Sequence, residues 1–260
     1  MTKSPENKVS EYSANTASAN APRLWVGEGL AAGATLDLPA NAVRHVAALR
    51  LRDGDPVTLF DGQGGEWSAK LLRVGRDRAS AKLLVWNDVE RESPLNITLA
   101  LGISSGDRMD FAIQKATELG VNVVRPIATA RSVVRLKDER ADRRIAHWRG
   151  VAIAACEQSG RNRVPVIESV MSLLEFVSLP SADARILLSP EADKSLKDFV
   201  PATALTLLIG AEGGLTPEER ADALHYGFFG MRFGPRVLRT ETAPLAVLAA
   251  IQAAWGDCSG

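Results

Sequence analysis

The sequence of 260 residues predicts a small β-rich module followed by a larger α/β domain. Apolar residues alternate with period two between residues 23 and 86, which is typical of strands. The polar segment NDVERESPLN at 87–96 interrupts that alternation, and apolar strand segments then alternate with helical ones. The apolar fraction of 46% excludes disorder of the whole chain, and two cysteines exclude a disulfide scaffold.

The first 88 residues divide into a tail and a module. Residues 1–20 carry only Val9 and Tyr12 as sizeable apolar groups, so we expect a disordered tail. Residues 21–88 carry the short runs RLWV, ATLDL, PVTLF, EWSAKLLRV and ASAKLLVW, separated by Gly and Asp, and predict a compact β-barrel. Helical spacing of apolar residues at 39–49 predicts one helix within it.

The predicted α/β domain occupies residues 89–260. Strands are expected at 97–103, 121–127, 184–188 and 205–209. A helix is expected from Asp107 as N-cap to a stop at Gly120, and a second begins with Thr216 as cap, Pro217 and Glu219. The last helix, at 242–255, is apolar on nearly all sides, which predicts burial within the domain or against another subunit.

Charge is unevenly distributed although the net charge is zero. Residues 21–88 carry +1, residues 89–170 carry +3 and residues 171–260 carry −4. The segment 125–163 holds ten basic residues against four acidic ones, including Arg131, Arg135 and Lys137. Such a stretch predicts a surface that binds phosphates, and a solvated helix face of mixed charge is an equally good interpretation.

Three glycine- or proline-containing segments in the last third predict a ligand site. They are LLSPE at 187–191, LLIGAEGGLTPEE at 207–219 and FGPRVLRTETAPLA at 233–246. Each follows or precedes a predicted element, and ligands of open α/β sheets bind at the carboxyl ends of strands. None of the three segments matches the phosphate-binding motifs GxGxxG or the Walker loop, so each segment by itself fits a plain strand-to-helix turn. The presence of three such segments favours a ligand site.

Metal and covalent chemistry find no support in the sequence. His45, His147 and His225 lack the spacing of metal ligands, and Cys156 and Cys258 form no CxxC pair. No GxSxG motif is present, which argues against a serine hydrolase. We expect no metal.

Several longer motifs resemble one family. The strings RESPL (91–95), KATELGV (115–121), EQSGRNRVP (157–165), LLIGAEGGLTPEE (207–219) and GPRVLRTETA (234–243), with LFDGQGGEW (59–67), occur in the order and spacing of that family. The chain thereby resembles the RsmE family of 16S ribosomal RNA uracil-N3 methyltransferases, in the SPOUT superfamily, over residues 22–257. One departure is Ala211, where the family commonly has Pro, which removes a φ restraint from the loop.

The resemblance implies a fold, a cofactor and partners. It implies a PUA-like β-barrel that binds RNA at 21–88 and a SPOUT methyltransferase domain at 89–260 whose C-terminal chain forms a trefoil knot, a rare exception to unthreaded topology. It further implies a homodimer that acts on 16S rRNA in the partly assembled small ribosomal subunit. The implied cofactor is S-adenosyl-L-methionine, bound by Leu188, Ser189, Pro190, Ile209, Gly210, Glu212, Gly213, Gly214, Phe233, Gly234, Val237, Leu238 and Thr240.

The third loop supplies the candidate catalytic residues. Methylation of uracil N3 requires loss of a weakly acidic proton and stabilisation of the resulting charge. We expect Arg239 or Arg236 to place positive charge beside a flipped base, and Glu241 to remove the proton directly or through water. An equally well supported alternative for Glu241 is a carboxylate at the helix N-terminus that interacts with the helix dipole. For Thr240, a role as helix cap is better supported than a chemical role.

Six residues are candidates for RNA contact. In the SGRNR turn the alternative is an interdomain or dimer salt-bridge cluster, and in the barrel it is a set of exposed surface arginines. The candidates are Arg161, Asn162 and Arg163 in the turn, and Arg23, Arg50 and Arg52 in the barrel.

Two other functions stay open at this point. A SPOUT ribose 2′-O-methyltransferase shares the cofactor loops and targets a hydroxyl group. The second alternative is a non-catalytic RNA-binding protein of ribosome assembly, which has the same fold but no methyltransferase activity. The N-terminus lacks the apolar core of a signal peptide and no apolar run reaches the length of a spanning helix, so we expect a cytoplasmic protein without membrane contact.

Overall fold

The structure is a computed structural model that describes residues 21–27, 30–132 and 139–258. The predicted tail, together with Arg135 and Lys137 of the basic stretch, lies outside the described residues. The chain forms two compact units. The first comprises the chain up to Asp61 with Glu66–Asp88, and the second comprises Gly62–Gly65 with Val89–Gly260.

The first unit is a five-stranded sheet with one helix. Its elements are β1 (Arg23–Trp25), β2 (Thr35–Asp37), α1 (Ala40–Ala48), β3 (Pro56–Phe60), β4 (Glu66–Val74) and β5 (Ala79–Asn87). The strand order is β1-β3-β4-β5-β2, and only the β1/β3 pair is parallel. Alternate residues such as Leu59, Leu71 and Leu83 enter the core with Val46 of α1, which confirms the predicted helix at 39–49.

The second unit is built on a parallel sheet flanked by helices. Its elements are β6 (Asn96–Gly102), α2 (Gly106–Glu118), β7 (Val123–Ala128), α3 (Glu139–Ser159), β8 (Val166–Ile167), β9 (Met171–Ser172), α4 (Leu173–Val177), β10 (Ala184–Leu188), β11 (Ala204–Ile209), α5 (Pro217–His225), β12 (Phe229–Met231) and α6 (Thr242–Trp255). The strand order is β12-β10-β11-β6-β7-β8, and β9 also pairs with β7. Parallel strands covered on both faces are apolar along their length, which is why 97–103 and 205–209 are recognisable from sequence.

The helix boundaries test the capping predictions. The capping box of α5 is confirmed, because Thr216 Oγ1 accepts from the Glu219 N–H and Glu219 reaches back to the Thr216 N–H. Gly120 follows the end of α2 with φ +80°, as a helix stop requires. The predicted N-cap of α2 is wrong: Ser105 is the cap, Gly106 begins the helix, and Asp107 lies in its first turn.

The last helix, α6, has the predicted bounds. Val247, Leu248 and Ile251 are fully buried in the core of the second unit, and α6 packs on α2. Ala253 and Ala254 near its C-terminal end are exposed. One face of α6 therefore belongs to the core, while burial by another subunit stays a prediction.

The segment Gly62–Gly65 corrects the predicted boundaries, because it belongs to the second unit and not to the β-rich module. Gln63 forms a β-bridge with Arg163, Gly64 N–H donates to the Asn162 carbonyl, and Val164 N–H donates to the Gly62 carbonyl.

Among the described residues, no helix has both the length and the apolarity to cross a membrane.

Candidate cofactor and RNA site

A cavity of about 470 Å³ opens at the carboxyl ends of β10 and β11 and beside the segment that follows β12. The three predicted loops form most of its wall, because parallel strands deliver their following loops to one edge of the sheet. The cavity is lined by all of the predicted cofactor residues: Leu188, Ser189, Pro190, Ile209, Gly210, Glu212, Gly213, Gly214, Phe233, Gly234, Val237, Leu238 and Thr240. The candidate catalytic residues Arg236, Arg239 and Glu241 line it as well.

The second loop turns tightly against strand β6. Gly214 N–H donates to the Ala211 carbonyl at 2.8 Å, which closes a turn, and Gly214 has φ +66°. A Cβ on Gly102, the last residue of β6, would lie 2.7 Å from the Gly210 carbonyl carbon and closer still to the Ala211 nitrogen. Ala211 is buried at this contact. The loop therefore depends on a glycine that sequence analysis did not identify.

Glu212 is anchored to the start of α2. Its Oε1 accepts from the Ser105 N–H at 2.8 Å and from the Ser105 hydroxyl at 3.0 Å, and Arg108 donates at 3.3 Å. Burial raises the pKa of the Glu212 carboxyl, but the hydrogen bonds from Ser105, from its own backbone and from Arg108 outweigh burial and hold the pKa below its ordinary value. Glu212 is therefore ionised at neutral pH.

Glu241 also lines the cavity and shares Arg108 with Glu212. The Nε of Arg108 is 3.8 Å from Glu241 Oε2. Glu241 occupies the N-cap position of α6 but makes no capping hydrogen bond with its side chain. The Oε2 atoms of Glu212 and Glu241 are buried and accept no hydrogen bond from the described residues, although Glu241 Oε2 lies within ion-pair distance of Arg108.

Thr240 connects the second and third loops. Its hydroxyl donates to the Gly210 carbonyl at 3.3 Å. The expectation that Thr240 caps α6 is wrong, because Glu241 occupies that position. The hydrogen bond instead holds the start of α6 against the second loop.

Three residues outside the predicted set hold the cavity wall together. Arg131 donates to the Gly213 carbonyl at 2.9 Å, and Arg220 forms an ion pair with Glu191 at 3.0 Å. Arg108 bridges the two carboxylates described above. Arg131 belongs to the basic stretch 125–163 that the sequence analysis identified. No sequence pattern indicates that Arg108 or Arg220 contacts loops that are distant along the chain.

Arg161 and Asn162 do not face solvent. Arg161 is 3% exposed, forms a two-point ion pair with Glu92, and donates to the carbonyls of Thr117 at 2.7 Å and Val121 at 3.0 Å. Asn162 is fully buried and donates to the Val89 carbonyl. Both side chains are used inside the second unit, so we no longer assign these residues to RNA. The Arg161–Glu92 ion pair lies within this unit and differs from the interdomain or dimer cluster of the alternative interpretation.

The remaining RNA candidates differ in exposure. Arg163 is half-exposed and pairs with Glu90 at 3.0 Å. In the first unit, Arg23 is mostly buried, pairs with Glu66 and lies over the Phe60 ring. Arg50, with φ +57°, and Arg52 are exposed. None of these lines the cavity, and contact of Arg23, Arg50, Arg52 and Arg163 with RNA stays a prediction.

Comparison with known proteins identifies relatives over nearly the whole chain. An RNA methyltransferase domain matches residues 91–252, and an RNA methyltransferase PUA domain matches residues 38–84. Ribosomal RNA small subunit methyltransferase E of Bacillus subtilis is 32% identical over 228 residues, which cover 84% of this chain and 89% of that protein.

Two solved structures are similar in fold and sequence. The methyltransferase E of Neisseria gonorrhoeae, bound to S-adenosyl methionine, is 44% identical with a TM-score of 0.85 over 91% of this chain and 99% of that one. A Legionella pneumophila protein in complex with the same cofactor is 36% identical, with a TM-score of 0.89 over the same shares of the two chains. The chain therefore belongs to the ribosomal RNA small subunit methyltransferase E family, the RsmE family that its motifs resemble.

Proposed function

We propose that this protein transfers the methyl group of S-adenosylmethionine to N3 of a uridine in 16S ribosomal RNA and so produces 3-methyluridine. The observation that carries the proposal is the single cavity in which three sequence-distant loops bring together the glycine turn, both carboxylates and the arginines of the third loop. Family membership and two cofactor-bound relatives support the same activity.

The residues of the cavity fit this cofactor. A volume of about 470 Å³ is within the range of small-molecule sites, roughly 300 to 1,000 Å³. A Cβ on Gly210 would lie 3.0 Å from the Gly214 carbonyl carbon, so the tight turn leaves little room for a side chain at this position. The Glu212 carboxylate lines the cavity and accepts hydrogen bonds from hydroxyl or amino groups of the cofactor. When bound there, S-adenosylmethionine supplies an electrophilic methyl group.

The protein's own residues provide positioning and charge. Glu241 takes the N3 proton of the uracil, directly or through one water molecule. Arg239 or Arg236 stabilises the negative charge that spreads to the uracil oxygens after the proton leaves. The N3 lone pair then forms the new bond to the methyl carbon, and the electrons of the broken C–S bond stay on sulfur. Ser105 and Arg108 keep the carboxylates fixed, so the site does not reorganise during transfer.

The biological setting is part of the proposal. The substrate is 16S rRNA within the partly assembled small ribosomal subunit, and the protein acts in the cytoplasm as a homodimer whose interface includes the free face of α6. A flipped uridine enters the cavity most easily from a loop or single-stranded region, where unstacking costs least. We also retain the knotted path of the C-terminal chain as part of this proposal.

The direct test is methylation of 16S rRNA lacking this modification, with labelled S-adenosylmethionine and purified protein. We expect 3-methyluridine at one position by mass mapping of nucleosides. The variant E241Q is expected to bind the cofactor within about threefold of wild type and to lose turnover, because a general base contributes roughly 10² to 10⁴ in rate.

Each other outcome points to a different function. A 2′-O-methylated nucleoside identifies a ribose methyltransferase. Absence of calorimetric cofactor binding to the dimer identifies a non-catalytic RNA-binding protein. Persistence of 3-methyluridine in 16S rRNA after deletion of the gene contradicts the proposal, and full turnover by E241Q with saturating cofactor contradicts only the assignment of the base.

A further inference from the structure

The charges around the cavity do not balance. Six arginines and three glutamates line it. Every glutamate has a cationic partner: Glu191 pairs with Arg220, while Glu212 and Glu241 share Arg108. The excess positive charge therefore resides on the arginines that these pairs leave over.

The excess lies on one segment, the residues from Arg232 to Arg239 that follow β12. Arg232, Arg236 and Arg239 are all exposed. None has a side-chain hydrogen bond or ion pair with any residue that the structure describes, whereas Arg131 donates to the Gly213 carbonyl. Unpaired guanidinium groups are thus concentrated at the rim of the proposed active site.

The cofactor alone does not account for these arginines. S-adenosylmethionine carries one carboxylate, which one arginine binds in a two-point contact. At least two arginines then remain for a second anionic ligand. The segment is also held at both ends, because Arg232 N–H donates to the Lys194 carbonyl at 2.7 Å and the Thr240 hydroxyl donates to Gly210. Its middle, Arg236 and the 82% exposed Val237, projects to solvent.

We infer that the segment Arg232–Arg239 is a phosphate clamp for the RNA strand that delivers the target nucleotide, with Arg232 and Arg236 each contacting a backbone phosphate. A flipped nucleotide keeps its two flanking phosphates outside the cavity, at the rim where these arginines lie. One guanidinium group binds two oxygens of a phosphate at once. Arg232 and Arg236 have no ion pair within the described part of the protein that must break before they bind phosphate. Arg239, next to the anchored Thr240, remains the arginine nearest the base.

This inference rests on the proposed function and assigns a different surface from that of the SGRNR turn. The turn contains two arginines, but the Arg161 guanidinium group donates its hydrogen bonds to Glu92 and to two backbone carbonyls. The rim segment lies in the acidic third of the chain, so its uncompensated charge is visible only once the ion pairs are known.

The test is the salt dependence of RNA binding. Affinity of the cofactor-loaded protein for a 16S rRNA fragment is measured over a series of KCl concentrations for wild type, R232Q, R236Q and the double variant. For each lost contact to a single strand, the slope of log K against log salt should decrease in magnitude by about 0.7. The double variant should show about twice that change.

A charge-matched control separates contact from net charge. K197Q removes the same charge from an exposed lysine that lies outside the basic stretch 125–163 and does not line the cavity. Its slope should equal that of wild type. Calorimetric affinity of R232Q for S-adenosylmethionine without RNA should also be unchanged, and circular dichroism checks that each variant is folded.

The outcomes are distinguishable from failure of the proposed function. Unchanged slopes in R232Q and R236Q overturn the clamp, as does an equal change in K197Q. Weaker cofactor binding by R232Q with an unchanged RNA slope places the segment in the cofactor pocket and also overturns it. If wild type binds RNA with the expected slopes and transfers no methyl group, the clamp stands and the proposed function fails.

Discussion

Replacement of Arg161 by Gln tests the new interpretation of the SGRNR turn. The change leaves the mostly buried Glu92 carboxylate without its cation and removes the donors of two backbone carbonyls. Breaking one side of a buried ion pair costs about 3 to 5 kcal/mol in the free energy of unfolding. For a unit of this size, each kcal/mol corresponds to about 2 to 4 °C in Tm, so we expect a decrease of about 6 to 20 °C.

The neighbouring arginine provides the matched control. Arg163 lies two residues later and pairs with Glu90 at the surface, so R163Q should cost no more than about 1 kcal/mol. The double variant R161M/E92L should recover part of the loss, because it removes both buried charges. The assays are thermal unfolding followed by circular dichroism and RNA binding at a temperature where R161Q is folded.

The two roles of Arg161 predict opposite results. A buried structural residue changes Tm and leaves the RNA affinity of the folded protein near that of wild type. If R161Q kept the wild-type Tm and lost tenfold or more in RNA affinity, the side chain would reach RNA, and the assignment made from its burial would be refuted.

The remaining predictions concern the second loop. G102A forces a Cβ into the loop backbone and should weaken cofactor binding at least tenfold by calorimetry, whereas G150A, with open space around its Cβ on α3, should leave that affinity unchanged. T240V removes a hydrogen bond to Gly210 worth about 0.5 to 1 kcal/mol, so the dissociation constant of the cofactor should rise two- to fivefold; no change would show that the bond is unimportant. Because hydrogen bonds lower the pKa of Glu212, its contribution is complete above its ordinary pKa of about 4.5 and is lost as pH falls through the lowered folded value. The difference in unfolding free energy between wild type and E212Q should therefore be constant from pH 7 to about 5 and shrink below; a difference that shrinks already above pH 5 would contradict the lowered pKa.

Local patterns were sufficient for much of the fold and of the cavity. The capping box of α5 depends on residues three apart, and the bounds of α6 follow from an apolar run, so both are readable from neighbouring residues. The same holds for the three loops, since each is marked by its own glycine or proline. The assignment of Asp107 as a cap failed because Ser105 and Asp107 are both good cap residues, and only the backbone path shows where the helix begins.

The sequence by itself determined the two-part organisation and the α/β class of the second part, because these depend on periodicity. Its family motifs, each a few residues long, predicted most of the residues that line the site. The tertiary structure decided which charges are free. Arg161 is buried by Glu92 from 69 residues away, Arg108 joins two carboxylates from other loops, and Gly62–Gly65 enters the second unit. A side chain's availability to RNA depends on its partners in space, and partners that are distant along the chain leave no local signal.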